Sequence, residues 1–135
     1  MQHRTIPSSG ENIPVVGLGT WQSFDVGNSN EEREPLKEVM KVLIEHGGSV
    51  IDSFPMYGRS KKVVGELTNE LMIKQKLFEA TKVWISGKEE GIQQMKTAMS
   101  LMQAQPMALM QIHNLLDWKT HIKTLKKWKE EDKIR

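Results

Sequence analysis

Four times along the chain, a short apolar run is followed by a longer stretch whose apolar residues recur every three or four positions. No other feature constrains the fold as much. Ile13 to Gly19 reads as the first strand. From Asn30, a capping residue followed by Glu31, Glu32 and Glu34, a helical period runs through Leu36, Val39, Met40, Leu43 and Ile44 until Gly47-Gly48 stops it. Ser49 to Asp52 is a second strand, and the helix starting at Ser60 gathers Val63, Val64, Leu67 and Leu71 on one side. Leu77 to Lys82 is a third strand, with Ile92, Met95, Met99 and Met102 as the buried, Met-rich face of the helix after it. Ala108 to His113 is the fourth, and Ile122, Leu125 and Trp128 begin the last helical face. A small hairpin is expected ahead of all this, Arg4-Thr5-Ile6 and Asn12-Ile13 flanking the turn Pro7-Ser8-Ser9-Gly10.

Strand and helix in regular alternation imply parallel strands joined by crossover helices, an α/β fold of four βα units. Strands that are nearly continuous apolar runs are expected to be covered on both faces. Two closures fit: an open doubly wound sheet, or the first half of a TIM-type (β/α)8 barrel, which in full takes about 250 residues. At 135 residues the chain is expected to form a single unit over residues 1–135.

Composition narrows the chemistry. Nineteen Lys and Arg against 17 Asp and Glu leave a net charge of +2, too little for a polyanion surface, so nucleic acid is not an expected partner. The basic cluster from Lys123 to Lys133 is interrupted by Glu130, Glu131 and Asp132 and reads as a solvated helix face. With no Cys there is no thiolate nucleophile or Cys-based metal site, and redox chemistry would have to come from a bound cofactor. No run approaches the roughly 18 apolar residues of a spanning helix, so no membrane partner is expected. The expected location is cytoplasmic, with the proviso that a cleaved export signal leaves no trace.

Three of the four strands finish on a titratable side chain: Asp52, Lys82 and His113. In parallel α/β folds the carboxyl ends of the strands gather on one rim, where ligands bind and different strands supply the reacting groups. Tyr57, the only Tyr, follows Asp52 by five residues and belongs to the same rim. A phenol beside an ammonium is a recognisable acid, because the positive charge stabilises the phenolate.

The segments Val16-Gly17-Leu18-Gly19-Thr20-Trp21, Ile51-Asp52-Ser53 through Met56-Tyr57-Gly58-Arg59-Ser60, Val64-Gly65-Glu66-Leu67, Ala80-Thr81-Lys82-Val83 and Gln111-Ile112-His113-Asn114 together resemble the aldo-keto reductases, in order and in spacing. The resemblance implies a (β/α)8 barrel that reduces aldehydes or ketones with NADPH, or less often NADH, and without a metal. It places the family's catalytic tetrad on Asp52, Tyr57, Lys82 and His113. Tyr57 would donate the proton, Lys82 and Asp52 would tune it, and His113 would orient the substrate carbonyl. By the same resemblance Gly19, Thr20, Trp21 and Asp52 would meet the cofactor, and Trp21, Trp84 and His113 the substrate. Lys61 and Lys62 stand where relatives commonly carry an acidic residue, and are expected to alter surface charge at the start of the second helix.

The family continues past a fourth helix to four further strands whose loops hold most of the dinucleotide. The expectation is therefore the N-terminal half of such a reductase, inactive or weakly active alone, with exposed half-barrel edges able to self-associate. The other reading kept open is a cofactor-sensing or regulatory subunit with the same fold.

Overall fold

The computed structural model describes all 135 residues. Its first apolar run is two strands and not one. β1 (His3–Thr5) pairs antiparallel with β2 (Asn12–Pro14), His3 opposite Pro14 and Thr5 opposite Asn12, so the hairpin is present but takes Ile13 and Pro14 from the expected strand. Pro14 cannot donate to a ladder and suits a strand end. After the exposed Val15 and Val16 the chain resumes as β3 (Gly17–Gly19). A Cβ at Gly17 would come within 2.9 Å of the Val50 side chain, so the close approach of β3 to its neighbour requires glycine.

The remaining elements are α1 (Asn30–Glu45), β4 (Val50–Asp52), α2 (Ser60–Glu70), β5 (Phe78–Val83), α3 (Lys88–Met102), β6 (Leu109–Ile112) and α4 (Trp118–Glu130). Ser29, and not Asn30, caps α1. Its Oγ accepts from the Glu32 amide at 3.3 Å and donates to the Glu32 carboxylate at 2.8 Å, a capping-box arrangement that the spacing Ser29-x-x-Glu32 encodes. β3, β4, β5 and β6 form one parallel sheet in that order, with Leu18 opposite Ile51, Ile51 opposite Glu79 and Thr81 opposite Met110.

Register decides which side chains share a face, because alternate strand residues point to opposite sides. Ile51, Val83 and Met110 join Leu36 and Met40 of α1, Val63, Val64 and Leu67 of α2, Met95 and Met102 of α3, and Leu125 and Trp128 of α4 in one buried cluster. All four helices therefore cover the same face. That rules out the doubly wound alternative, which needs helices on both, and corrects the expectation of strands covered twice. The opposite face carries Gly19, Asp52, Ala80, Lys82, Leu109 and Gln111, and Leu109 and Gln111 are exposed.

Two helical faces sit differently from the sequence pattern. Val39 is exposed, the buried stripe of α1 running through Leu36, Lys37 and Met40. Lys37 reaches out of that stripe to Glu34 at 2.8 Å and across to Glu70 at the end of α2 at 2.5 Å. In α4 the fully buried side chain is His121, one position before the expected Ile122. Its Nε2 donates to the Ile85 carbonyl at 2.6 Å, and the ring packs so tightly on α3 that a Cβ at Gly91 would meet it at 2.3 Å. Beneath the sheet, Glu79 pairs with Lys74 at 3.0 Å, and burial pushes its carboxyl above the usual range. Arg135 ties the hairpin to this end of the sheet, 3.0 Å from Glu11 with its guanidinium over the Phe78 ring.

Candidate active site

Asp52 ends β4, and Lys82 lies two residues beyond Ala80, the register partner of Asp52 on β5. The two side chains thus leave the same open face as diagonal neighbours on adjacent strands. Lys82 Nζ donates to both Asp52 oxygens at 2.6 Å and approaches the Ser53 carbonyl at 3.5 Å. The Lys82 side chain is 16% exposed and that of Asp52 38%, so the carboxylate faces the rim and the ammonium lies beneath it.

Tyr57 sits in the tight turn after β4, where its amide donates to the Phe54 carbonyl at 3.2 Å. Its hydroxyl makes no hydrogen bond to Lys82; the contacts of its ring are aromatic. Phe54 stands at their centre, 5.4 Å from the Tyr57 ring edge-on, 5.4 Å from Trp84 and 4.3 Å from His113. Trp84 meets His113 edge-on at 5.6 Å, and Trp21 approaches Tyr57 at 6.2 Å. β6 ends at Ile112, and His113 opens a single 3-10 turn that lets its ring lean back over Phe54. Aromatic pairs of this kind contribute about 1 kcal/mol each beyond the area they bury.

The Tyr57 loop is pinned at its far end. The Ser60 hydroxyl donates to the Thr20 carbonyl at 3.0 Å, and the Arg59 amide donates to Asp25 at 2.9 Å. The Arg59 amide and, beside it, the Arg59 side chain hold the Asp25 carboxyl below its ordinary value. Gly58 has φ +51 and packs its Cα on Asp25, where a Cβ would fall 2.4 Å from the carboxylate. Thr20 is fully buried, its hydroxyl donating to the Asp52 carbonyl at 3.1 Å, so its side chain braces the end of β4. Trp21 is 61% exposed and Gly19 has open space where a side chain would be. The loop that carries Trp84 is braced by α3 and α4: Gln94 accepts from the Trp84 amide at 2.6 Å, Asp117 from the Gly87 amide at 2.9 Å, and His121 holds Ile85.

Lys61 corrects an expectation. Lys62 is half exposed and pairs with Glu66 at 2.6 Å, as a surface residue would. Lys61 is only 6% exposed; its stem runs through the buried first turn of α2, and Nζ donates to the Phe54 carbonyl at 3.2 Å. Burial pushes the ammonium down to about 8. Sequence reasoning did not single out Phe54, Asp25 or His121 either. Asx-like Asp25 before a loop and a lone His in an amphipathic helix carry no distinguishing pattern.

A profile of the Aldo/keto reductase family matches residues 15–135, and the chain belongs to that family. It is 31% identical over 111 residues to an NADP-dependent D-sorbitol-6-phosphate dehydrogenase of Malus domestica, across 78% of this chain and 33% of that one. It superposes on a putative aldo-keto reductase from Pseudomonas aeruginosa with a TM-score of 0.82 at 20% identity, covering 98% of this chain and 56% of that one. With an aldo-keto reductase from Klebsiella pneumoniae in complex with NADPH the TM-score is 0.80 at 23% identity, covering 100% and 48%. The chain thus spans about a third of the length of the curated relative and about half of the solved chains. Its four βα units correspond to the N-terminal half of the family's barrel.

Proposed function

We propose that residues 1–135 are the N-terminal half of an NADP(H)-linked reductase of aldehydes or ketones, with the proton-donating apparatus in this half. The observation that carries the reading is the Lys82 ammonium held at 2.6 Å by both oxygens of Asp52, on the rim where Tyr57 and His113 flank Phe54.

The residues fit the nicotinamide end of the cofactor: open backbone at Gly19, an exposed indole at Trp21, and a carboxylate at Asp52 able to accept from a ribose hydroxyl. They offer little grip for phosphates, since Arg59 at the same rim is engaged with Asp25. When bound, the dihydronicotinamide supplies a hydride. Tyr57 is proposed to give its proton to the substrate oxygen as negative charge develops there. Asp52 holds and orients the Lys82 ammonium, which is proposed to stabilise the phenolate that remains. The His113 imidazole hydrogen-bonds the same oxygen and orients the carbonyl, while Trp21 and Trp84 wall the substrate against water. The proposed setting is the cytoplasm. The free edges of β3 and β6 belong to the same reading: in isolation the 135 residues are expected to self-associate and to bind NADPH weakly.

The test expresses the chain with whatever follows Arg135 in its reading frame, or with strands five to eight of a family member, and follows NADPH consumption with an aldehyde. Tyr57→Phe is expected to lower turnover by about 100-fold or more while NADPH still binds. Equal turnover by the variant overturns the assignment.

A further inference from the structure

The loop from Asp52 to Ser60 sets the position of Tyr57, and its two ends are fixed by different means. Asp25 and Thr20 hold Arg59 and Ser60 at the far end. At the near end the Phe54 carbonyl accepts two hydrogen bonds, from the Tyr57 amide at 3.2 Å and from Lys61 Nζ at 3.2 Å. The first closes the turn on which Tyr57 sits, and the second comes from inside α2. Lys61 has no carboxylate within ion-pair distance, and a buried ammonium held only by a carbonyl is costly. A Met or Leu would fill the same space at no such cost. The one thing an ammonium does here that an apolar side chain cannot is grip the Phe54 backbone. The Phe54 ring, in turn, is the surface against which Tyr57 and His113 both pack.

We infer that Lys61 is a positioning residue for the reductase site: by holding the Phe54 carbonyl it closes the Tyr57 turn and fixes the ring that sets the spacing of Tyr57 and His113. This rests on the proposed roles of Tyr57 and His113. The grip itself can be examined in the 135-residue chain without cofactor or turnover.

The chain has no Cys, so Lys61→Cys creates a unique thiol. Alkylation of the unfolded variant with 2-bromoethylamine rebuilds a side chain of lysine length ending in an ammonium; alkylation with 1-iodopropane builds one of the same length ending in a methyl group. After refolding, the ring signals of Tyr57, which are unambiguous because it is the only Tyr, and of His113, assigned through His113→Gln, are read by NMR. The aminoethyl form is expected to return both sets of signals to their native positions, and the propyl form to leave them displaced. Native signals in both forms, or displaced signals in both, overturn the inference. Lys61→Met provides an independent reading, because it keeps the buried stem and removes a buried charge. It is expected to fold with displaced Tyr57 and His113 signals, and native signals in the folded variant also overturn the inference. The two readings fail separately: undiminished turnover by Tyr57→Phe in the completed barrel sinks the reductase assignment, whereas the NMR outcome bears only on the grip.

Discussion

Lys82 Nζ lies 2.6 Å from each carboxylate oxygen of Asp52, yet the two partners are unequally hydrated, the carboxylate being more than twice as exposed as the ammonium. Breaking the pair from either side should therefore cost different amounts. Asp52→Asn leaves a largely buried ammonium with only neutral acceptors, the new amide oxygen and the Ser53 carbonyl at 3.5 Å, and is expected to destabilise by about 2 kcal/mol, below the full cost of orphaning a buried charge. Lys82→Met leaves a carboxylate that water can reach and is expected to cost under about 1 kcal/mol. Urea denaturation of both variants checks the order, and equal losses would contradict it.

The buried Lys61 gives the stability a definite dependence on pH. Its ammonium is pushed from 10.5 down to about 8 in the folded chain, so between those values the unfolded chain binds the proton that the folded chain has lost. Stability then rises with pH across this window, and below about 8 the cost of burying the charge is present in full. Lys61→Met should gain about 2 kcal/mol at neutral pH: a shift of this size converts to about 3, less about 1 for the hydrogen bond to Phe54. The gain should shrink as the pH rises from about 8 and be gone above about 10.5. Paired urea titrations at neutral and alkaline pH measure the difference, and a gain that does not change with pH would show that burial is not its source.

Phe54 makes contact with three other rings at the rim. Phe54→Ala is expected to lose about 3 kcal/mol and Phe54→Leu less, because the leucine still fills much of the space. Trp84 should move to a wetter environment in the alanine variant, seen as a red shift of fluorescence after correction for the other three tryptophans.

Two glycines in unlike settings provide a contrast. At Gly65 a Cβ would fall 2.2 Å from the Leu101 carbonyl, where α2 and α3 touch backbone to backbone, so Gly65→Ala should destabilise by about 1–3 kcal/mol. At Gly19 nothing lies within 4 Å of the added carbon, and Gly19→Ala should leave the melting temperature unchanged. In the completed barrel the same change is expected to weaken NADPH binding, because the methyl group would occupy the space proposed for the cofactor. Calorimetry and fluorescence titration on the two variants separate the effects.

The order of elements was legible from periodicity, because each helix carries an apolar stripe of helical spacing and each strand a short unbroken run. Turn geometry was harder to read. Within Ile13 to Gly19 only Pro14 hints at the break before Val15 and Val16, and the pairing of Pro14 with His3 of the preceding strand completes it. The rim positions of Asp52, Lys82 and His113 were visible because strand ends converge by topology. The residues that hold them were not. Lys61 looks like its neighbour Lys62 in sequence, and only the three-dimensional path of α2 turns one inward and the other out. Phe54 reads as an ordinary apolar loop residue until His113 arrives from the far side of β5 to lean over it.

Ring-on-ring contacts do not depend on a pair of opposite charges. Salt strong enough to screen the exposed Arg59–Asp25 pair is expected to leave the spacing of Tyr57, Phe54, Trp84 and His113 unchanged. The rim can therefore acquire or lose surface charge without moving the groups proposed to handle the proton.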